Sequence, residues 1–295
     1  MAFFANLFGY LLNLIYNIIG NYGWAIIVFS IIIKLLMIPL SIKQQKTMKK
    51  NAKLQAKMKE IQFKYKNDPE RLNQATMQLY KEENVSPFSG CFSAIIQIVL
   101  LISIFYLVRS PLTYMKKVDS EVVDKYYNIM QEEQIATGSG YPEIEIIREL
   151  ETLKNVENDK INQEELAKFE TNMEFLGLDL SQIPSKNTSD WKVFIIPVLY
   201  VVVSFLSMKM TLVTGKKKQT GLIDGETGKP EEKTESGDMQ EAMEQVNQNM
   251  SMIFPIMYLS VAIIAPLGLA LYWLVNSILM IAERVILNKL IKEDE

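Results

Sequence analysis

Residues 20–50 read GNYGWAIIVFSIIIKLLMIPLSIKQQKTMKK, and this stretch decides the fold class. From Trp24 to Leu40 the chain is apolar except for Ser30 and Lys34, and it then turns abruptly basic. An apolar run of about 18 residues is long enough to cross the hydrocarbon core of a bilayer as a helix. Tyr22 and Trp24 stand where interfacial aromatic anchors belong. The stretch therefore predicts a first spanning helix from about Trp24 to Leu40. Further apolar runs cover 91–108, 193–208 and 251–282. They predict spans at Cys91–Val108, about Lys192–Leu212, about Ser251–Ala265 and Leu267–Leu287, the last two joined by a tight turn at Pro266–Gly268. The expected fold is an all-α integral membrane protein with a core bundle of five transmembrane helices.

Between these spans the composition changes sharply. Residues 1–20 are apolar but interrupted by Asn6, Asn13 and Asn17. Phe3, Leu7, Tyr10, Leu14 and Asn17 recur at helical spacing, which predicts an interfacial amphipathic helix lying on the membrane; the alternative is the first half of a long crossing helix. This run has neither the basic start nor the small-residue cleavage site of a removable signal peptide. Within 21–109, the segment 41–86 carries eleven Lys/Arg against five Asp/Glu. Its stripes Leu54, Met58, Ile61, Tyr65 and Leu72, Ala75, Leu79 predict a helical hairpin in water, turning at Asn67-Asp68-Pro69-Glu70 with Asp68 as N-cap. Residues 110–190 reverse the sign, with eight basic and seventeen acidic residues. They read as an acidic helical insertion, either a small subdomain or a loose one. After the third span (191–212), residues 213–250 have the Gly, Lys, Glu and Thr content of a flexible linker. The last two spans fill 251–288 and a short tail 289–295 follows. Basic segments stay on the cytoplasmic side, so the hairpin, the linker and the C-terminus are expected inside, and the N-terminus and the insertion outside.

Much chemistry is excluded by composition. The chain has no histidine and one cysteine, Cys91. It therefore has no His-dependent triad, no His-ligated metal and no internal disulfide. No phosphate-binding Gly-rich loop occurs, and a mildly acidic chain, net charge −3, is not built for general nucleic-acid binding. No catalytic residue, metal or cofactor is expected, and an intramembrane protease lacks its usual His or Asp-pair constellation.

Lys34 is the informative residue. It lies about 13 Å along the helix from Lys43, inside the first span. A charge near mid-membrane costs about 2.5–3.5 kcal/mol on insertion scales and persists where a cavity or a partner receives it. No Asp or Glu occurs in residues 1–59, and none lies centrally in any predicted span. Lys34 is thus expected to be unpaired and to face a water-filled pocket; the plainer alternative is snorkelling to the inner interface. Ser30 lies one turn earlier on the same face. Gln97 in the second span, and Tyr272, Trp273, Asn276 and Ser277 in the fifth, add polar atoms. Singly each is ordinary helix–helix glue; together with Lys34 they outline a hydrophilic groove. The fourth span is short, reaching about 22 Å against a core of about 30 Å, and such a mismatch is relieved by local bilayer thinning.

Several strings resemble those of the YidC/Oxa/Alb membrane protein insertases. Gly20-Asn21-Tyr22-Gly23-Trp24 is similar to that family's GNWG opening of the first core helix. Leu79-Tyr80-Lys81 through Val85-Ser86-Pro87 resembles its LYK…VNPL junction, and Gly90-Cys91-Phe92 with Ile96-Gln97 its GGC…IQ pattern. Leu176-Gly177-Leu178-Asp179-Leu180 resembles the LGxDL string before the third helix, and Gly268-Leu269-Ala270-Leu271-Tyr272-Trp273 the GLxLYW motif of the fifth. The resemblance implies that Lys34 takes the place of the family's groove arginine and that Ser30, Gln97 and Trp273 line the groove. Three departures matter. Lysine keeps the charge but not the planar five-donor fork of arginine. Ile98-Val99 stands where a proline usually follows Ile-Gln. Residues 112–172 have no counterpart in the pattern.

The function so implied is that of an insertase and chaperone, not an enzyme. Nascent membrane proteins would enter a cytoplasm-open groove, and their helices would leave into the lipid bilayer. The Sec translocon and the ribosome are candidate partners, without nucleic-acid specificity. The competing reading is a small anion transporter or channel that uses Lys34 as its anion site.

Overall fold

A computed structural model describes residues 2–65, 68–83, 89–157, 159–220 and 260–293. The chain is mostly helical. α1 spans Ala2–Ile19, α2 Tyr22–Lys64, α3 Pro69–Glu82 and α4 Ser89–Arg109; short helices follow at Pro111–Tyr114 (α5), Ser120–Glu132 (α6), Pro142–Arg148 (α7), Leu150–Lys154 (α8) and Gln163–Phe169 (α9). A 3-10 turn, Trp191–Phe194, then leads into α10 (Ile195–Thr220), and α11 is Leu267–Glu293. The one strand pair among the described residues, β1 (Glu174–Phe175) with β2 (Leu178–Asp179), amends the all-α expectation by a two-residue hairpin. Two helical stretches are long and apolar enough to cross a membrane, Tyr22–Thr47 and Leu267–Leu287. Shorter apolar stretches occupy Phe3–Ile19, Ile98–Arg109 and Trp191–Ser207. The predicted fourth span lies outside the described residues apart from its last turn, as does the linker beyond Thr220.

The helix does not break at Leu40, where the first span is expected to end. α2 runs unbroken for 43 residues, straight through Pro39. At 1.5 Å per residue it reaches about 64 Å, more than twice the hydrocarbon core. The reason is local: beyond Pro39 the chain is rich in Lys and Gln, with Ala and Met among them, all good helix formers. The first arm of the hairpin is therefore the continuation of the first spanning helix. α3 returns alongside it, started by Pro69 at N1 and by Asp68, whose side chain accepts from the Arg71 backbone N–H at 3.0 Å. Leu54 and Leu79 are buried in this hairpin, and Lys57 pairs with Glu83. α10 also outruns its expected end at Leu212, because Lys216-Lys217-Lys218 favours helix as much as linker.

The acidic insertion is a compact folded subdomain. α6 buries Val123, Tyr126, Ile129 and Met130, and α7 buries Ile144, Ile146 and Ile147. Phe169 packs edge-on against the Tyr126 ring, with centroids 5.2 Å apart. The Tyr126 hydroxyl donates to Glu165 at 2.7 Å and accepts from the Asn162 N–H at 3.0 Å. Two buried carboxylates organise the loops. Glu143 accepts from the backbone N–H and hydroxyl of Thr113, at 3.0 and 2.7 Å. Glu145 accepts from the backbone N–H groups of Thr137 and Ser139, at 2.9 and 2.5 Å. Burial pushes Glu143 above the usual carboxylate range despite those bonds. For Glu145 burial also pushes upward, but the Ser139 and Thr137 donors outweigh it and the net shift is downward. One apolar core runs without interruption from Leu12, Phe29 and Leu271 in the long helices to Ile146 and Phe169 in the insertion.

α1 lies between the two. It packs against both α2 and α4, burying Ala5, Leu12, Ile15 and Tyr16. The stripe Phe3, Leu7, Tyr10 and Leu14 faces outward, exposed. Lys117 clamps the helix from the insertion side: its ammonium donates to both the carbonyl and side-chain oxygens of Asn6, at 3.1 and 3.0 Å, and sits 3.9 Å from the Tyr10 ring centre.

Candidate functional site

Three of the motif strings, at 20–24, 176–180 and 268–273, meet at one end of the bundle. Asn21 caps α2 by accepting from the Trp24 N–H, while its amide donates to the Glu174 carbonyl at 2.6 Å. The Tyr22 N–H donates to the Asn172 carbonyl, and the Asn172 N–H donates to the Tyr16 hydroxyl. Gly23 is required by close approach: a Cβ there would lie 2.4 Å from Cδ2 of Phe175. Trp24 packs edge-on against that same ring, with centroids 5.3 Å apart. Leu176 and Gly177 form the two-residue turn of the β hairpin, both at positive φ, a conformation that suits Gly177. Leu180 then turns inward, and its carbonyl accepts from the Gly268 N–H at 2.9 Å; the Gln182 carbonyl accepts from the Leu267 N–H at 2.9 Å. The first N–H groups of α11, which no helix satisfies internally, are thus bonded to the segment that also grips α2. These motif residues stitch the helix ends together; they do not line a groove.

α2 and α11 run parallel from that junction, with Tyr22 against Gly268. Twelve residues further along α2, about 18 Å, comes Lys34. Its ammonium lies 2.6 Å from Oε2 of Glu283, and the two side chains are 19% and 14% exposed. This overturns the expectation that Lys34 is unpaired. Measured from the end of its own span, Glu283 counts as marginal. α11 continues to Glu293 and α2 to Lys64, however, so the depth of each side chain is fixed by the contact between the helices. Glu283 is the one acidic residue in 251–292, and that isolation within an apolar run was the signal available in the sequence. Oε1 of Glu283 is buried and has no hydrogen-bond partner among the described residues.

The other predicted site residues are brought only partly together. Ser30 is buried and donates to the Ile26 carbonyl of its own helix at 2.7 Å, satisfying itself locally. Tyr272 is buried; Trp273 and Asn276 are half-buried, and the Trp273 ring lies against Tyr200 of α10, centroids 6.1 Å apart. Ser277 is buried. Asn276 and Glu283, seven residues apart, share one face of α11. Gln97 sits in α4, and its side chain lies outside the described residues. The helices also carry apolar side chains on their outer faces: Ile31, Leu35 and Leu36 on α2, Val198, Val202 and Leu206 on α10, and Ile278 and Ile286 on α11 are all exposed. Exposed apolar side chains on long helices are what lipid covers. The anion-channel alternative needs Lys34 as a free cation, and the bond to Glu283 removes that condition.

Comparison with known proteins identifies the family of the chain. Residues 14–294 match the family model described as "60Kd inner membrane protein". Among curated relatives, the membrane protein insertase YidC of Caldanaerobacter subterraneus is 40% identical over 110 residues, covering 37% of this chain and 53% of the relative. The insertase of the same name from Fusobacterium nucleatum is 42% identical over 101 residues, covering 34% of this chain and 49% of the relative. That from Helicobacter pylori is 42% identical over 105 residues, 36% of this chain and 19% of the relative. The chain spans about half the length of the first two of these relatives or less, and about a fifth of the third. With the match running over nearly its whole length, the chain belongs to the 60Kd inner membrane protein family, the YidC/Oxa insertase family that its motifs resemble.

Proposed function

We propose that this chain is a membrane protein insertase that receives nascent clients in a groove at the level of Lys34 and releases their helices into lipid. The observation that carries the reading is the Lys34–Glu283 pair. It is a partly exposed charged contact inside a largely apolar bundle, about 18 Å from an end that backbone hydrogen bonds close. Water-accessible charge beside a lipid-covered wall lowers the cost of carrying a polar client segment into the bilayer. In this proposal the core has five spanning helices. The N-terminus and the 110–190 insertion stand outside; the hairpin and C-terminus stand inside. α1 lies at the outer interface, a placement supported by its clamp to Lys117 and its exposed apolar stripe. Ser30, Gln97, Tyr272, Trp273 and Asn276 border the groove with Lys34. The client helix leaves along the exposed apolar faces of α2, α10 and α11. The Sec translocon and the ribosome are proposed as partners at the cytoplasmic side, where the basic hairpin stands.

The test is insertion of a single-spanning, acidic-tailed client into proteoliposomes, scored by protease protection. Vesicles with the wild-type chain are expected to protect the client tail and empty vesicles are not. Lys34→Arg retains insertion and Lys34→Glu abolishes it. Insertion unaffected by Lys34→Glu would remove the lysine from the groove, and anion flux without insertion would replace the proposal with a transporter.

A further inference from the structure

We infer that Glu283 is a built-in competitor for Lys34, a specificity-determining carboxylate that holds the lysine until an acidic group on a client displaces it. The inference deepens the insertase proposal and rests on it. Three observations carry it. First, Lys34 is already engaged, 2.6 Å from Oε2 of Glu283, so its charge is offset by a carboxylate rather than free. Second, Glu283 is only half satisfied. A carboxylate offers two oxygens to donors, yet Oε1 is buried without a partner among the described residues. A pair serving only to fasten α2 to α11 gains most when both oxygens are bonded, because an unfilled buried acceptor retains its desolvation cost. Third, both side chains keep some exposure, 19% and 14%, so an incoming group can reach them.

The consequence is selection by difference. A client carboxylate gains a bond to Lys34 only by releasing Glu283, which then turns toward the water of the groove. A client without an acidic group gains nothing from breaking the pair. The groove therefore discriminates through the affinity of Lys34 for the client relative to its affinity for Glu283. The neighbours do not duplicate this role, since Ser30 is bonded within its own helix and Tyr272 is buried.

The experiment compares two single-spanning clients that differ only by Asp→Asn in the translocated tail, inserted by the full chain in vesicles of phosphatidylethanolamine and phosphatidylglycerol. The readout is the ratio of acidic to neutral insertion rates, which cancels any loss of folded protein. In Glu283→Gln that ratio is expected to rise about fivefold over wild type, equivalent to about 1 kcal/mol. In the double variant Lys34→Gln/Glu283→Gln it falls to about one, since neither charge remains. A ratio unchanged or lowered in Glu283→Gln overturns the inference while wild-type insertion leaves the insertase proposal standing. If wild type inserts neither client, the insertase proposal fails, and the exchange is then judged by anisotropy of a fluorescent acidic peptide with the solubilised chain. About fivefold tighter binding to Glu283→Gln than to wild type, with no change for the Asn peptide, supports it; equal affinities overturn it.

Discussion

Gly23→Ala should be among the most damaging conservative changes in the chain, although it adds one methyl group. A Cβ at Gly23 falls 2.4, 2.5 and 2.8 Å from Cδ2, Cγ and Cβ of Phe175. That is about 1 Å inside van der Waals contact, so the ring must retreat. Its backbone cannot follow easily, because Glu174 is held by Asn21 and Leu180 by Gly268. Overpacking of this kind costs about 1–3 kcal/mol. Loss of the edge-on contact between Trp24 and Phe175 adds about 0.5–1.5 kcal/mol. Exchanging Gly for Ala within a helix returns about 1 kcal/mol. The net expectation is a loss of about 1–3 kcal/mol. In a Phe175→Ala background the two ring contacts disappear and only the 2.8 Å approach to the retained Cβ is left, so the same Gly23→Ala change should cost clearly less. The assay is unfolding of the detergent-solubilised full chain, followed by tryptophan fluorescence in the four members of this cycle, with hydrogen exchange over 172–181 to localise the loss. The reasoning is refuted if Gly23→Ala costs the same with and without the Phe175 ring, because the cost would then lie in α2 itself.

Three further predictions concern the buried charges. Lys34→Ala strands Glu283 among apolar side chains and should cost about 1–3 kcal/mol, below the range for a fully buried pair because both groups are partly exposed; Lys34→Ala/Glu283→Ala should recover most of it, measured by detergent unfolding. Glu145→Ala leaves the Thr137 and Ser139 N–H groups without acceptors and should destabilise the insertion by about 2–3 kcal/mol, seen as faster hydrogen exchange across 135–145. Glu143 has a folded value above its unfolded one, so its contribution to stability is full below about pH 4.5 and declines as pH rises through the folded value. Glu143→Gln should flatten that decline, and an unfolding midpoint with the same pH slope in variant and wild type would contradict it.

Much was legible locally. Periodicity and turn chemistry were enough for the Asp68-Pro69 start of α3, the turn before α11 and the apolar runs, because each depends on residues within a few positions of one another. The motif strings were legible as text but not as mechanics. Nothing in GNYGW announces that Gly23 exists for Phe175, a residue separated from it by two helices and the whole insertion. The insertion illustrates the same limit: its apolar residues are spread thinly through acidic sequence, and only their convergence around Tyr126 and Ile146 makes a core.

The sequence by itself determined that this is a helical membrane protein with a lone lysine in its first span, since hydrophobic run length and charge placement are properties of the chain. Only the tertiary structure decided what that lysine meets. Lys34 and Glu283 share a level because α2 and α11 are hung in parallel from one set of backbone hydrogen bonds at Asn172, Leu180 and Gln182. The register between two helices is a long-range quantity, fixed by packing at their ends, and no local pattern in either helix records it.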